Sequence, residues 1–251
     1  MPAVQPQEKT SYLNWKRLSA QLDLTCHFET GLSSGLSLAE NLAAADACLT
    51  TSVAEGFGLV FIESWLAGKA LIGRDLPEIT IDFAEFGLKL PDLYRRLNVP
   101  TRWLVDSNWY GKILSAFRAT CADYQCALNQ MEDGTPPVDL FSQAQHSLDQ
   151  LANSEWVDFS CLPCDVQKLL VCRVANSRED QARLLEWNPI LGNIASGDLA
   201  NQELIAHNRQ VVQQVYSLEV CGDRLLKIYQ DILRSSFSPT IGALPRASRL
   251  I

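Results

Sequence analysis

The sequence predicts an α/β fold, with a parallel sheet in its first half and a largely helical second half. Two stretches carry that prediction. In the first, Ala47 to Val53 is a short apolar and β-branched run ending at a glycine-bearing turn, Leu59 to Leu66 has helical apolar spacing, and Ala70 to Ile72 is apolar again. Strand, glycine turn, helix and strand in that order make a βαβ unit, whose two strands run parallel. In the second, the chain beyond Leu140 is almost all helical pattern, interrupted at Leu162-Pro163 and Asn188-Pro189.

Taken in order, Thr10 to Leu22 places Tyr12, Leu13, Trp15, Leu18 and Leu22 at approximately helical intervals. Leu24 to Glu29 reads as a short strand and Gly31 to Gly35 as a loop. Ser37 is an N-cap for the helix Leu38 to Ala45, with Glu40 completing a capping box. Strands near 24–28, 48–53 and 70–73 are then expected side by side and parallel, with Glu55 at their carboxyl edge. Val99 to Val105 reads as a further strand. Trp109 to Leu128 reads as a helix on Trp109, Ile113, Phe117, Cys121 and Tyr124, and Glu132 to Pro137 as a loop. The downstream helices are Leu140 to Leu151, Asp165 to Ala175, Glu179 to Trp187, Asn201 to Val215 and Leu218 to Leu233, followed by a loose tail from Ser235.

Composition narrows the function classes. The 251 residues are 47% hydrophobic and 20% charged, as in a soluble globular protein. With 21 Lys and Arg against 29 Asp and Glu, the formal charge is -8, and no long basic run offers a surface for nucleic acid. The polar start, Met1 to Thr10, lacks a signal-peptide core, and no apolar run approaches the roughly 20 residues of a spanning helix, so a cytoplasmic protein is expected. Eight scattered cysteines suit reduced thiols. Cys161-Leu-Pro-Cys164 has metal-like spacing but no second ligand pair, so no metal is assigned. Neither His27, His146 nor His207 has a carboxylate or nucleophile at a telling spacing.

The polar groups of the βαβ unit are placed for chemistry. Glu55 follows the first strand, at the sheet edge where parallel α/β folds bind ligands. Gly56 and Gly58 remove side chains there, and the following helix starts with N–H groups at Gly58, Leu59 and Val60 that suit a phosphate. Glu63 lies one turn after Leu59, on the same helical face. A carboxylate accepts two hydrogen bonds, the pattern that a vicinal diol offers. Two carboxylates flanking an anion site therefore match a sugar diol, a diphosphate and a ribose diol.

Glu55-Gly-Phe-Gly-Leu-Val-Phe-Ile-Glu63 resembles the E-x7-E signature of retaining GT-B glycosyltransferases, close to the family 4 form. Ala45-Asp46 ahead of the unit, Asp75-Leu-Pro-Glu-Ile79 after it and Val215 to Tyr229 near the end also resemble family segments. Asp75 and Leu76 replace two glycines of the G-G-x-P-E loop, and Leu218 stands where Trp is usual. The resemblance implies a Rossmann-like parallel sheet, part of a GT-B donor domain. It implies Glu55 on donor-sugar hydroxyls as the catalytic-site residue, the Gly56, Phe57, Gly58, Leu59 and Val60 backbone on sugar and phosphate, Glu63 on ribose, and the base near Phe28 to Gly31.

The implied function is hexose transfer from a nucleoside diphosphate sugar, used as substrate with no cofactor, to an acceptor held by another domain or subunit. The expected parts are a nucleotide-sugar-binding portion over 1–130, a helical region completing or capping it over 131–235, and a flexible tail over 236–251. The pattern also admits a non-catalytic nucleotide-sugar-binding or partner-binding subunit, and an epimerase or phosphorylase on the same architecture. Of the nearby cations, Arg74, at the end of a strand, is better placed to approach a phosphate than Lys69, which reads as a solvated turn residue. Tyr216 and Tyr229 read as helix packing.

Overall fold

A computed structural model describes residues 6–33, 35–129, 147–197, 199 and 201–234. The chain is mixed α/β and mostly helical, with a small three-stranded parallel sheet. The loop expected over Glu132 to Pro137, the first part of the helix expected from Leu140 and the tail from Ser235 lie outside the described residues.

Helix α1 (Pro6–Gln21) opens on a proline, whose fixed φ and missing N–H suit a first helical turn. Asp23 ends it in the left-handed region at φ 51, and the Leu24 N–H reaches back to the Ser19 carbonyl at 2.9 Å, closing the helix end. That closure overturns the strand expected at Leu24 to Glu29. The Cys26 N–H is spent on the Leu24 carbonyl at 2.7 Å, and Phe28 packs edge-on against Tyr12 of α1, with Lys16 above both rings. The segment folds onto α1 and joins no sheet. A short turn, α2 (Thr30–Ser33), precedes α3 (Leu38–Ala44), which carries the expected capping box. The Glu40 N–H donates to Ser37 Oγ at 3.3 Å, while the Ser37 hydroxyl at 2.7 Å and its N–H at 2.8 Å both donate to Glu40 Oε2 and hold the Glu40 carboxyl below its ordinary range.

Strand β1 (Ala47–Thr50), α4 (Leu59–Leu66) and β2 (Ala70–Arg74) form the βαβ unit, with Ala47 opposite Ala70 and Thr50 opposite Gly73 in a parallel ladder. The third strand lies on the other side of β2. It is β3 (Leu93–Tyr94), reached through α5 (Pro77–Glu85), a helix that begins within the segment resembling the family's G-G-x-P-E loop. Pro77 at the helix start and Thr80, bonded to the Leu76 carbonyl, show why the chain turns helical there. Phe61, Trp65, Leu71, Leu76, Phe83 and Leu88 fill the space beneath, and Val212 of α11 (Gln202–Val215) closes it from above α4.

A second core sits around the antiparallel pair β4 (Asn98–Pro100) and β5 (Trp156–Asp158). The strand expected over Val99 to Val105 shrinks to β4, because the chain passes into 3-10 turns at Thr101–Trp103 and Val105–Ser107. Val99, Leu104, Val157, Val166 and Leu170 bury there, with Trp109 from α6 (Trp109–Asn129). A helical stretch at 147–152, here α7, and helices α8 (Cys164–Ala175), α9 (Arg178–Trp187) and α10 (Pro189–Ser196) surround it. The Asn188-Pro189 break is thus a helix-to-helix junction. The β4–β5 pairing ties the segment before residue 130 to the segment after it.

Two buried asparagines each bond both backbone groups of a distant residue, Asn98 at the start of β4 and Lys89 in the loop between α5 and β3. Asn188 accepts from the Asn98 N–H at 2.6 Å and donates to the Asn98 carbonyl at 3.0 Å, and Asn208 does the same for Lys89 at 2.9 and 2.7 Å. Asn188→Ala leaves both Asn98 groups without these partners and is expected to cost roughly 1–3 kcal/mol, measured by urea unfolding. Among the described residues no helix is long and apolar enough to cross a membrane.

Candidate functional site

The site is the loop from Thr51 to Gly58 between β1 and α4, together with the outer face of α4. Thr50 ends β1 buried, and its backbone sits so close to Gly73 that a Cβ there would lie 2.7 Å from the Thr50 carbonyl oxygen. This contact brings the ends of β1 and β2 together beneath the loop. Glu55 stands in solvent at this edge, as expected, and accepts a hydrogen bond from Ser52 Oγ at 2.6 Å. Ser52 was not singled out by sequence reasoning, although its place three residues before a glutamate is a spacing that suits such a bond.

The two glycines have different roles. Gly56 is open, since a Cβ there would meet nothing within 4 Å. Gly58 is buried at the N-cap of α4 with φ 65, and a Cβ would stand 2.6 Å from Ile79 Cγ2 and 3.2 Å from the Phe83 ring. The close approach permitted by Gly58 is therefore to α5, which corrects the expectation that both glycines make room for a ligand. The Phe61 N–H bonds the Gly58 carbonyl at 3.0 Å, so the first turn of α4 is tight, with the Leu59 and Val60 N–H groups at its start.

Side chains of the loop and helix divide accordingly. Phe57, 85% exposed, and Leu59, 58% exposed, project to solvent, while Val60 packs against the core of Phe61 and Trp65. Glu63 is exposed and lines a cleft of about 350 Å³ with Leu38 and Leu42 of α3 and Leu66 and Ala67. Glu55 and Glu63 thus stand in different surroundings, one beside Ser52 and the other against α3.

Arg74 is spoken for. Its guanidinium makes two bonds to Asp158, at 2.7 and 2.9 Å, and a third to the Arg95 carbonyl at 2.8 Å, with the Tyr94 ring 5.7 Å away. The Asp158 bonds hold Arg74 above its ordinary pKa, and burial raises the Tyr94 phenol. Asp158 lies 84 residues further along the chain, and nothing local in the sequence signals the pairing. Lys69 Nζ donates to the Ala43 carbonyl at 2.8 Å, tying the turn before β2 to α3. His207 meets the Gly87 carbonyl at 2.9 Å, and Tyr216 packs edge-on to Phe83 and Phe86, as expected of helix packing.

A separate cavity of about 320 Å³ lies between α8, α9 and β4, lined by Val99, Trp103, Val174, Leu184 and other apolar groups. It has no polar lining to orient a sugar or phosphate, which sets it apart from the loop site. Among the described residues seven cysteines are free thiols, Cys161 and Cys164 included, and Cys164 Sγ lies 3.0 Å from Ser11 Oγ. Among the described residues no three His, Cys, Asp or Glu side chains cluster as a metal site. Compared with protein-family models, curated proteins and solved structures, the chain matches none.

Proposed function

We propose that this chain binds a nucleoside diphosphate sugar at the β1–α4 loop and forms the donor-binding part of a retaining glycosyltransferase with a Rossmann-like sheet. The observation that carries the reading is a glycine-bearing turn at the carboxyl edge of a parallel sheet, leading into a helix start, with Glu55 and Glu63 both solvent-accessible. In this reading Glu55 takes hydroxyls of the donor sugar and is the catalytic-site residue. The backbone of Gly56, Phe57, Gly58, Leu59 and Val60 meets sugar and phosphate, and Glu63 takes the ribose. An acceptor domain or subunit supplies the other wall of the site.

The second reading, a nucleotide-sugar-binding subunit without transfer activity, draws on one specific observation. Arg74 and Lys69, the basic residues nearest the unit, are both engaged within the protein. Stabilising a departing diphosphate relies on preorganised positive groups, so catalysis needs cations from a partner. Titration calorimetry with uridine, guanosine and adenosine diphosphates and their hexose conjugates tests the binding step. Glu63→Ala is expected to weaken both kinds of ligand by roughly 1 to 3 kcal/mol, and Glu55→Ala only the sugar-bearing kind. Equal losses for both ligands in both variants would remove the role assignment, and no binding at all would remove the reading. Transfer from radiolabelled donors, with and without a candidate acceptor subunit, separates the catalytic reading from the second.

A further inference from the structure

We propose that α12 (Leu218–Arg234) pairs antiparallel with α12 of a second copy of this chain, in the register that sets Arg224 of each against Asp231 of the other. Leu218, Cys221, Leu225, Ile228 and Ile232 recur at alternating intervals of three and four residues, the spacing of a two-helix seam. The seam is largely in solvent: Leu218 is 92% exposed, and Leu225, Ile228 and Ile232 are each more than half exposed. Tyr229, 62% exposed, flanks it. The start of the helix engages its own protein, where the Val220 N–H meets Ser217 Oγ at 3.3 Å and Arg224 lies 5.7 Å from the Phe86 ring centre.

The polar side of α12 decides what covers the apolar side. Glu219, Asp223 and Asp231 balance Arg224, Lys227 and Arg234, so the helix has no net charge. Helices that lie on membranes carry a Lys- and Arg-rich polar face, and this one does not. Antiparallel pairing that packs Leu225 against Ile228 of the second copy also packs Cys221 against Ile232 and brings residue 224 beside residue 231. Because the arrangement is two-fold, both contacts occur twice.

Each seam is then flanked by opposite charges. The same register sets Gly222 against Tyr229 of the second copy, and a Cβ at Gly222 would meet nothing within 4 Å, so the ring has room. Parallel pairing sets Arg224 beside Tyr229 and matches no opposite charges. Stacking on Phe86 leaves the in-plane N–H donors of Arg224 available to a carboxylate.

Sedimentation velocity of the full chain, over a range of concentration, tests the pairing. A mass about twice 27.9 kDa is expected. Arg224→Asp and Asp231→Arg singly should each weaken the dimer at least about tenfold by facing like charges, the two together should restore it, and Leu225→Asp should abolish it. Circular dichroism on the same samples shows whether the variants keep their helix content. A monomeric wild-type chain, a dimer indifferent to the single reversals, or a folded double variant that stays monomeric would each overturn the proposal. None of these outcomes bears on nucleotide-sugar binding, because α12 contributes no residue to that site.

Discussion

Asp158→Ala is expected to destabilise the fold by about 3–5 kcal/mol, since it strands the guanidinium of Arg74 in a place where both side chains are only 11% exposed. The pair joins the end of β2 to β5, so the loss falls on the contact between the two cores. Urea unfolding measures it, and Arg74→Lys should fall between the wild type and Asp158→Ala, because an ammonium cannot reproduce two parallel bonds to a carboxylate. The same pair predicts acid sensitivity. Burial alone would raise the Asp158 carboxyl, but the Arg74 bonds and the N–H groups of Ser160 and Leu97 outweigh it and hold the carboxyl below its ordinary range. A group depressed in this way contributes stability that is fully present above the unfolded value, near ~3.9, and lost as pH falls through the folded one. The stability gap between wild type and Asp158→Asn should therefore be constant near neutral pH and narrow in that acid window. A gap that stays constant through the window would show that the pair is not the linked group.

The parts of the molecule that could be read from sequence are those set by local rules. The βαβ unit followed from apolar period and the glycine turn, and the start of α3 from Ser37 and Glu40, because capping is settled within four residues. The stretch Leu24 to Glu29 misled for the opposite reason. Its composition suits a strand, yet Asp23 in the left-handed region turns the chain back onto α1, and strand pairing is a tertiary choice that propensity does not decide. Helices α5 and α10 begin at Pro77 and Pro189, and a proline that marks a break also marks a helix start. At the candidate site, the position of Glu55 was legible because it follows a strand. The engagement of Arg74 by Asp158 was not, since it joins residues far apart in the chain. The difference matters for function: it takes away the cation that sequence placed nearest the site.

Gly58→Ala and Gly56→Ala, two changes of one methyl group two residues apart, are expected to have opposite consequences. At Gly58 the backbone sits at φ 65, where a side chain costs about 1–2 kcal/mol. The added Cβ would also lie 2.6 Å from Ile79 Cγ2 and within 3.3 Å of two Phe83 ring atoms, and such overpacking costs about 1–3 kcal/mol. Together these predict a loss of roughly 2–5 kcal/mol in unfolding free energy. At Gly56 the backbone has no positive φ and the space is open. Alanine there narrows the unfolded ensemble and should leave stability unchanged or raised by up to about 1 kcal/mol. If a nucleotide sugar lies against this loop, that same methyl group occupies the ground of the ligand, and donor binding falls while the fold stands. Thermal unfolding and calorimetry on the two variants separate the roles. A Gly56→Ala protein that is stable and binds the donor undiminished would place the ligand away from the loop and leave Gly58 as a purely structural turn.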